Sequence, residues 1–210
     1  SGGRAPLNID NLNALFGKLR KMKFDALSIV VNSPGGSPVQ SSLIAQKIRE
    51  ICIKKKIKCY CFVEDVAASG GYWLACSADE IYADINSIVG SIGVISGGFG
   101  FTELIKKIGV ERRIFTAGDN KSFLDPFEKI NKKDEIKLKN LQKQIHQNFI
   151  DWVLTRRKRK IKEKDNKTVF SGSFWLSSEA KNLGLIDGIS SEASFFKTKF
   201  GEKTKIKKIK

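Results

Sequence analysis

The chain has 210 residues, of which 41% are hydrophobic and 29% charged, and its formal net charge is +16. That length suffices for one substantial domain with its own core, and no run approaches the roughly 18 to 20 apolar residues of a membrane-spanning helix. The sequence also lacks the basic and then apolar start of a secretory signal peptide, so we expect no membrane anchor within this chain.

The excess positive charge suggests nucleic acid or an anionic membrane surface as a partner. It is concentrated in one predicted helical segment, 128–164, and in the tail, 201–210. Neither segment shows zinc-finger spacing or an RNA-binding aromatic signature, so we expect no specific nucleic-acid partner. A nucleic-acid binder is kept as an alternative, and contact with a membrane surface as an expectation.

Apolar patterning divides the chain into alternating helices and strands. In chain order it predicts a helix over 9–22, a strand over 26–32, a helix from about 41, a strand over 57–63, an apolar helix ending near 78, a strand over 80–83, an irregular glycine-rich stretch over 88–101, a helix over 102–108, a strand over 111–117, a long helix over 132–160, and a helix, glycine stop and short strand over 178–189. Such alternation indicates βαβ units and an α/β fold with a mainly parallel sheet. We predict a single domain over 1–200, followed by a basic tail over 201–210.

The four cysteines are Cys52, Cys59, Cys61 and Cys76. Cys59 and Cys61 are two apart in a predicted strand and therefore share one of its faces. Because no C-x-x-C pair is present, we expect no metal site. The pattern is typical of small buried side chains, and we expect no cofactor.

Two glycine turns follow consecutive predicted strands, "NSPGG" at 32–36 and "AASGGY" at 67–72. In open α/β sheets this rim binds ligands, and glycine lets a ligand approach the backbone closely. A glycine turn that opens a helix also points free N–H groups outward, and such donors can hold an oxyanion. Ser69 lies among these donors, which suits an attacking hydroxyl. The alternative is an ordinary N-cap serine.

A nucleophilic serine needs a base. His146, the one histidine of the chain, lies in the predicted long helix beside two glutamines, where we expect a surface position. Lysine is the other candidate, but with an ordinary pKa of about 10.4 it must be desolvated to act as a base. Most lysines lie in basic runs, whereas Lys121 follows a predicted strand and turn and precedes apolar residues.

Several ordered motifs resemble signal peptide peptidase A and its SohB-type relatives, which are serine peptidases with a serine–lysine dyad. The motifs are "VNSPGG", "DVAASGGYWLACSADEIYA", "GSIGV", "GDNKSFLDPF" and "WLSSEAKNLGLIDGI", and the resemblance extends from about Pro6 to about Phe196. It implies a ClpP/crotonase-like fold of repeated ββα units with a long helix in the C-terminal half. It also implies Ser69 as the nucleophile, Lys121 as the general base and Ser91 as the residue that orients the lysine.

The same resemblance implies an oxyanion hole and substrate contacts. Gly36 and Gly70 match the positions expected to supply the oxyanion amides, with Gly35 as the alternative donor. The residues expected to contact the substrate are Tyr72, Ile92 and Gly93.

The resemblance further implies an endopeptidase for extended apolar peptides, such as signal-peptide remnants or membrane-protein segments. It implies a homo-oligomeric ring in which neighbouring subunits complete each site, at the inner membrane of a bacterium, with the domain on the periplasmic or equivalent side. Family members usually carry a strand ahead of the segment matching "LNIDNLN". This sequence does not include it, so we expect either a sheet without that edge strand or a sequence trimmed at this end. Two alternatives share the fold, a crotonase-like acyl-CoA enzyme that would not require Ser69 and a catalytically silent membrane-associated scaffold.

Overall fold

The computed structural model describes residues 7–118 and 120–209. Within these residues one sheet has the strand order β5-β4-β2-β3-β6, and β1 pairs with β2. The strands are β1 (Ala26–Ser33), β2 (Lys58–Ala68), β3 (Glu80–Ala83), β4 (Ile88–Gly90), β5 (Phe174–Leu176) and β6 (Gly188–Ile189). Every pairing is parallel except that of β4 with β5. The predicted α/β fold with a mainly parallel sheet is confirmed.

The helices connect these strands. They are α1 (Asn13–Lys21), α2 (Pro38–Lys55), α3 (Gly70–Ala75), α4 (Thr102–Lys107), α5 (Lys132–Arg157), α6 (Asn166–Val169), α7 (Ser177–Asn182) and α8 (Glu192–Phe200). The long helix predicted over 132–160 is confirmed, with its last three residues in 3-10 form. Helix α2 begins earlier than expected because the Ser37 side chain accepts a hydrogen bond from the Gln40 N–H, and Pro38 fits the first turn.

The strand predicted over 111–117 is wrong. In the described part of the chain these residues pair with no strand, and Phe115 is 93% exposed. The segment has strand-like composition, but β propensity reflects packing against neighbouring strands, which are lacking here. The pattern also missed β5, because three residues are too few to show a period of two.

The central strand β2 separates two apolar clusters by simple alternation. Cys59 and Cys61 point into the larger cluster beneath α1, α2 and α3, as expected from their spacing. Tyr60 and Phe62 point to the other face, where they pack against Phe196 of α8. The sheet is therefore covered on both sides, which leaves ligand sites at strand ends and edges.

The chain separates into two compact units. The first comprises the residues up to Gly93 and those from Asn148 onward, and it contains the whole sheet. The second comprises Val94–Gln147, where the Phe101 N–H donates to the Pro126 carbonyl at 2.6 Å. The single domain over 1–200 stays a prediction. Across 7–118 and 120–209, no helix combines the length and apolar character needed to cross a membrane.

Candidate active site

Three neighbouring strands have their carboxyl ends close together at one end of the sheet. Strand β1 runs into the first glycine turn, β2 into Ser69, and β4 into Ser91. The Ser69 N–H donates to the Gly90 carbonyl at 2.9 Å, which joins the ends of β2 and β4. Parallel pairing thus brings together the two glycine turns, as the sequence predicts. It also brings in Ser91 through β4, a strand within the stretch 88–101 that was predicted to be irregular.

Ser69 has an unusual backbone for a residue with a side chain. Its φ is +51° and its ψ is −123°, a conformation that costs free energy and persists only where the surroundings impose it. Its side chain makes no capping hydrogen bond to α3, although its carbonyl accepts from the Trp73 N–H at 3.0 Å. Ser191, by contrast, caps α8 through its side chain. Ser69 therefore occupies the N-cap position of α3 without the side-chain hydrogen bond of an ordinary N-cap serine.

The glycines around Ser69 permit close backbone contact. A Cβ on Gly35, whose φ is +122°, would stand 2.9 Å from the Ser69 Cβ. A Cβ on Gly70 would overlap the buried Ser41 hydroxyl and lie 3.2 Å from the Gly36 N. No side chain fits between the two turns, so their main chains line the site directly.

The amides of these turns differ in whether they are already used. The Gly35 N–H donates to the Ser33 hydroxyl at 3.2 Å. Within the described residues, no hydrogen bond uses the N–H of Gly36 or Gly70. Gly70 is the first residue of α3, where an N–H has no partner within the helix. These two amides can therefore serve an anion, whereas the Gly35 amide would first have to leave Ser33.

Tyr72 and Ile92 belong to the core. Both are fully buried, and the Tyr72 hydroxyl donates to the Leu185 carbonyl at 2.7 Å. Burial raises the pKa of the Tyr72 phenol well above its ordinary value. Gly93 is half-buried, and its N–H donates to the Ser91 carbonyl at 2.9 Å. Tyr72 and Ile92 therefore have no exposed surface to offer a substrate, whereas Gly93 is partly exposed.

The two candidate bases, Lys121 and His146, differ in their exposure to solvent. Lys121 lies in the second unit, where its N–H donates to the Gly118 carbonyl at 3.2 Å and the residue is exposed. His146 lies half-buried on α5. The pairing of Lys121 with Ser69 and with Ser91 stays a prediction.

A buried ion pair between α5 and the residue before β6 was not predicted from the sequence. Arg157, 1% exposed, donates to Asp187 at 2.7 Å and to the Gly184 carbonyl at 2.9 Å. Burial alone would raise the pKa of Asp187, but the hydrogen bond and charge of Arg157, with Lys160 and the Ile81 N–H, hold it below its ordinary value. The signal was available, because Phe149, Val153 and Arg157 recur every four residues on α5.

Over the residues that the structure describes, no group of three or more histidine, cysteine, aspartate or glutamate side chains could hold a metal ion. All four cysteines are free and buried.

Comparison with known proteins gives a family match over most of the chain. Residues 52–203 match the family model described as peptidase family S49. The chain is 31% identical to the chloroplastic serine protease SPPA of Arabidopsis thaliana, over 80% of this chain and 24% of that protein. It is 54% identical to a Brucella abortus protein named Na(+)/H(+) antiporter NhaA, over 88% of this chain and 25% of that protein. The chain thus spans about a quarter of the length of these curated relatives.

One solved structure supports the fold. The 1510-N membrane-bound stomatin-specific protease, in a mutant form, superimposes with a TM-score of 0.56 at 16% identity. The match covers 90% of this chain and 75% of that one. At this identity the likeness concerns the fold alone, and it confirms the fold class implied by the sequence motifs.

Proposed function

This chain belongs to peptidase family S49, and from that premise we propose that it is a serine endopeptidase with Ser69 as nucleophile and Lys121 as general base. The observation that carries the proposal is the strained backbone of Ser69, whose hydroxyl takes no part in capping α3. Strain of this kind persists where function requires a side chain to be presented in one direction. Ser69 and Lys121 both lie inside the matched range 52–203.

The proposed reaction is acyl transfer to Ser69 followed by hydrolysis. The uncharged amine of Lys121 takes the proton from the Ser69 hydroxyl as its oxygen attacks the scissile carbonyl carbon. The tetrahedral intermediate collapses to an ester as the same amine gives that proton to the departing peptide amine. Water, deprotonated by Lys121, then cleaves the ester and regenerates the hydroxyl.

The negative oxygen of each tetrahedral intermediate needs fixed donors. We assign this role to the N–H groups of Gly36 and Gly70, because neither is used by another hydrogen bond in the described part of the chain. A preorganised donor of this kind typically contributes about 3 to 4 kcal/mol. Gly35 is the weaker candidate, since its N–H already donates to Ser33.

Ser91 is the proposed orienting residue. It follows β4 at the same end of the strands as Ser69, and like Ser69 it has a positive φ, of +53°. Its N–H donates to the Ser173 carbonyl at 2.7 Å, which holds the main chain in place. In the proposal the Ser91 hydroxyl accepts a hydrogen bond from the Lys121 amine and fixes its direction.

A lysine acts as a base only where water is excluded. Lys121 is exposed in the isolated chain, so we propose that a neighbouring subunit of a homo-oligomeric ring covers it and receives it. Exposed apolar side chains of the second unit support such an interface. They include Ile95, Phe99, Ile108, Phe115, Ile130 and Ile136, with exposed fractions between 60% and 93%.

The proposed substrates are extended apolar peptides, such as signal-peptide remnants or membrane-protein segments. In the proposal an extended peptide lies along the first glycine turn at Ser33–Gly36, where the Gly36 N–H is used by no other hydrogen bond in the described part of the chain. We place the protein at a bacterial inner membrane, on its periplasmic or equivalent side, where such peptides arise. The net charge of +16 favours contact with anionic lipid there.

The test is cleavage of a fluorogenic apolar peptide by the wild type and by single variants. Ser69→Ala and Lys121→Ala should each abolish turnover, whereas the control Lys129→Ala, an exposed lysine of the same unit, should retain it. A crotonase-like enzyme or a silent scaffold would show no turnover that depends on Ser69.

Mixing the two inactive variants tests the shared site. If each lysine serves the neighbouring subunit, random reassembly of equal amounts restores about a quarter of the wild-type activity, because one ring contact in four pairs an intact serine with an intact lysine. No recovery after exchange of subunits would place both residues in one subunit.

A further inference from the structure

Ser41 is a fully buried serine near the start of α2. Its hydroxyl donates to the Ser37 carbonyl at 3.0 Å. The same carbonyl accepts from the Ser41 N–H at 3.0 Å, which is the ordinary hydrogen bond of an α-helix at this position. The helix therefore has its bond without the hydroxyl, and alanine would favour helix formation more than serine does. What the hydroxyl bond fixes is the direction of the Ser41 side chain.

That direction places the Ser41 oxygen against the main chain of Gly70. A Cβ on Gly70 would overlap this oxygen, and it would also lie 3.2 Å from the Gly36 N and 3.5 Å from the Gly35 Cα. The hydroxyl from α2, the first glycine turn and the first residue of α3 therefore meet around one point. Because the hydroxyl hydrogen is used by Ser37, the oxygen contacts Gly70 by packing.

The end of β1 packs equally closely on the next residue of α3. A Cβ on Gly71 would overlap the Ser33 carbonyl oxygen and lie 3.2 Å from the Ser33 Cβ. Two successive residues of α3 are thus in close contact with the preceding segment, and close-packed groups shift only by losing contacts. The positions of the Gly36 and Gly70 amides are therefore set by packing, and Ser41 supplies the side chain that contacts Gly70 from α2.

We propose that Ser41 is a positioning residue that sets the separation of the Gly36 and Gly70 amides. The inference rests on the proposed function, in which these two amides hold the oxyanion. The Ser41 oxygen fills the space beside Gly70, and its removal leaves a gap into which the start of α3 can move. Misplacement of a catalytic group by about 1 Å can cost a hundredfold in rate. Ser41 touches neither substrate nor reacting atoms in this account and acts through Gly70.

The first experiment measures kcat and KM of Ser41→Ala with the fluorogenic apolar peptide. The variant should lower kcat roughly tenfold and change KM by less than about twofold, because the amides hold the oxyanion only in the transition state. Two controls should retain the wild-type kcat. Ser42→Ala removes the hydroxyl of the neighbouring residue of α2, which accepts from the Gln46 Nε2 at 2.9 Å, and Ser177→Ala removes another fully buried hydroxyl. Urea unfolding of each variant verifies that it is folded.

A double-mutant cycle with Gly70→Ala tests the contact itself. In the wild-type background the new methyl group overlaps the Ser41 oxygen, and kcat should fall roughly a hundredfold. In the Ser41→Ala background that overlap is gone and the nearest remaining neighbours lie at 3.2 Å and 3.5 Å, so the same substitution should cost less than about tenfold. The urea midpoint gives an independent measure, because the double variant should be more stable than Gly70→Ala alone.

A peptide aldehyde supplies a readout that a purely structural role would not move. The Ser69 oxygen bonds to the aldehyde carbon, the hydroxyl proton passes to Lys121, and the former carbonyl oxygen becomes the oxyanion. The inhibition constant of the aldehyde should therefore rise roughly tenfold in Ser41→Ala. The matching peptide alcohol forms no adduct, and its inhibition constant should stay unchanged.

The outcomes separate this inference from the proposed function. An unchanged kcat in Ser41→Ala, an equal loss of kcat in Ser177→Ala, additive effects in the cycle, or equal weakening of the aldehyde and the alcohol would each overturn the role of Ser41. All four would leave Ser69-dependent turnover of the wild type in place. Absence of that turnover would instead overturn the proposed function and, with it, the inference about Ser41.

Discussion

Gly35 lies directly against Ser69. A Cβ on Gly35 would stand 2.9 Å from the Ser69 Cβ and 3.1 Å from the Gly70 N. The two turns are held in this contact because β1 and β2 pair up to Ser33 and Ala67, just before each turn begins. The geometry of the candidate nucleophile therefore depends on a glycine that precedes it by 34 positions and lies outside the family match.

Substituting Gly35 should therefore damage the site. Gly35→Ala forces a side chain against Ser69 at a φ of +122°, and we expect loss of turnover together with about 1 to 3 kcal/mol of destabilisation. The control is Gly17→Ala in α1, where a Cβ meets nothing within 4 Å; it should stabilise the chain by about 0.5 to 1 kcal/mol and leave turnover intact. Peptide assays and urea unfolding measure both effects, and full activity of Gly35→Ala would show that the contact is not needed.

Alanine substitutions of the serines that precede α3 and α8 should have opposite effects on turnover and on stability. Ser69→Ala removes a hydroxyl that caps nothing, so turnover should vanish while the free energy of unfolding changes by less than about 0.5 kcal/mol. Ser191→Ala removes a real cap of α8 and should cost about 1 kcal/mol without affecting turnover. The reverse pattern would assign Ser69 to capping and refute its role as nucleophile.

The ion pair of Arg157 and Asp187 should make stability depend on acid pH. Since the folded-state pKa of Asp187 lies below its ordinary value of 3.8, its contribution is present above that value and is lost as the pH falls through the lower, folded-state pKa. Asp187→Asn should flatten the decline of unfolding free energy below about pH 4, measured by urea titration between pH 3 and 7. A variant curve parallel to that of the wild type would contradict the assignment.

Removing Arg157 should be costly at neutral pH. Arg157→Met leaves the Asp187 carboxylate and the Gly184 carbonyl without their buried partner, and we expect about 3 to 5 kcal/mol of destabilisation. Arg159→Met, at an exposed position two residues later, is the matched control and should stay within about 0.5 kcal/mol. Similar losses for the two variants would show that burial of the charge is not the cause.

The cysteine thiols should be unreactive toward thiol reagents in the folded protein. All four cysteines are buried, and burial raises the pKa of Cys76 to about 12. Ellman's reagent should therefore detect none of them before unfolding and four afterwards, and turnover should withstand thiol reagents. Rapid inactivation by iodoacetamide would point to a cysteine in the chemistry.

Much of the fold could be predicted because the decisive patterns are local. The apolar run of β1, the glycine turns and the spacing of Cys59 and Cys61 each follow from short-range chemistry. Residues 111–117 have the composition of a strand, but a strand exists only where a neighbour pairs with it, and local composition does not reveal the neighbour. Strand β5 was not predicted, because its antiparallel pairing with β4 is set by tertiary contact and leaves no pattern in its own short sequence.

The positions of the glycine turns in the candidate site could be predicted from the sequence, but the contacts that these turns make could not. The sequence motifs placed Ser69, Gly36 and Gly70 at strand ends, where the structure has them. They could not show that the Gly35 N–H donates to the Ser33 hydroxyl, because that bond depends on the detailed geometry of the turn. They also could not show that Tyr72 points into the core, because its contact with Leu185 depends on long-range packing. The buried Arg157 contradicts the usual inference that arginine lies at the surface.

Labelling with a fluorophosphonate probe tests the central claim most directly, because the probe reports the activated serine without the need for a known substrate. Mass spectrometry should locate the adduct on Ser69, the labelling rate should rise with pH as the base loses its proton, and Lys121→Ala should label negligibly while Lys129→Ala labels at the wild-type rate. An adduct on another serine, or wild-type labelling of Ser69 in Lys121→Ala, would contradict the account.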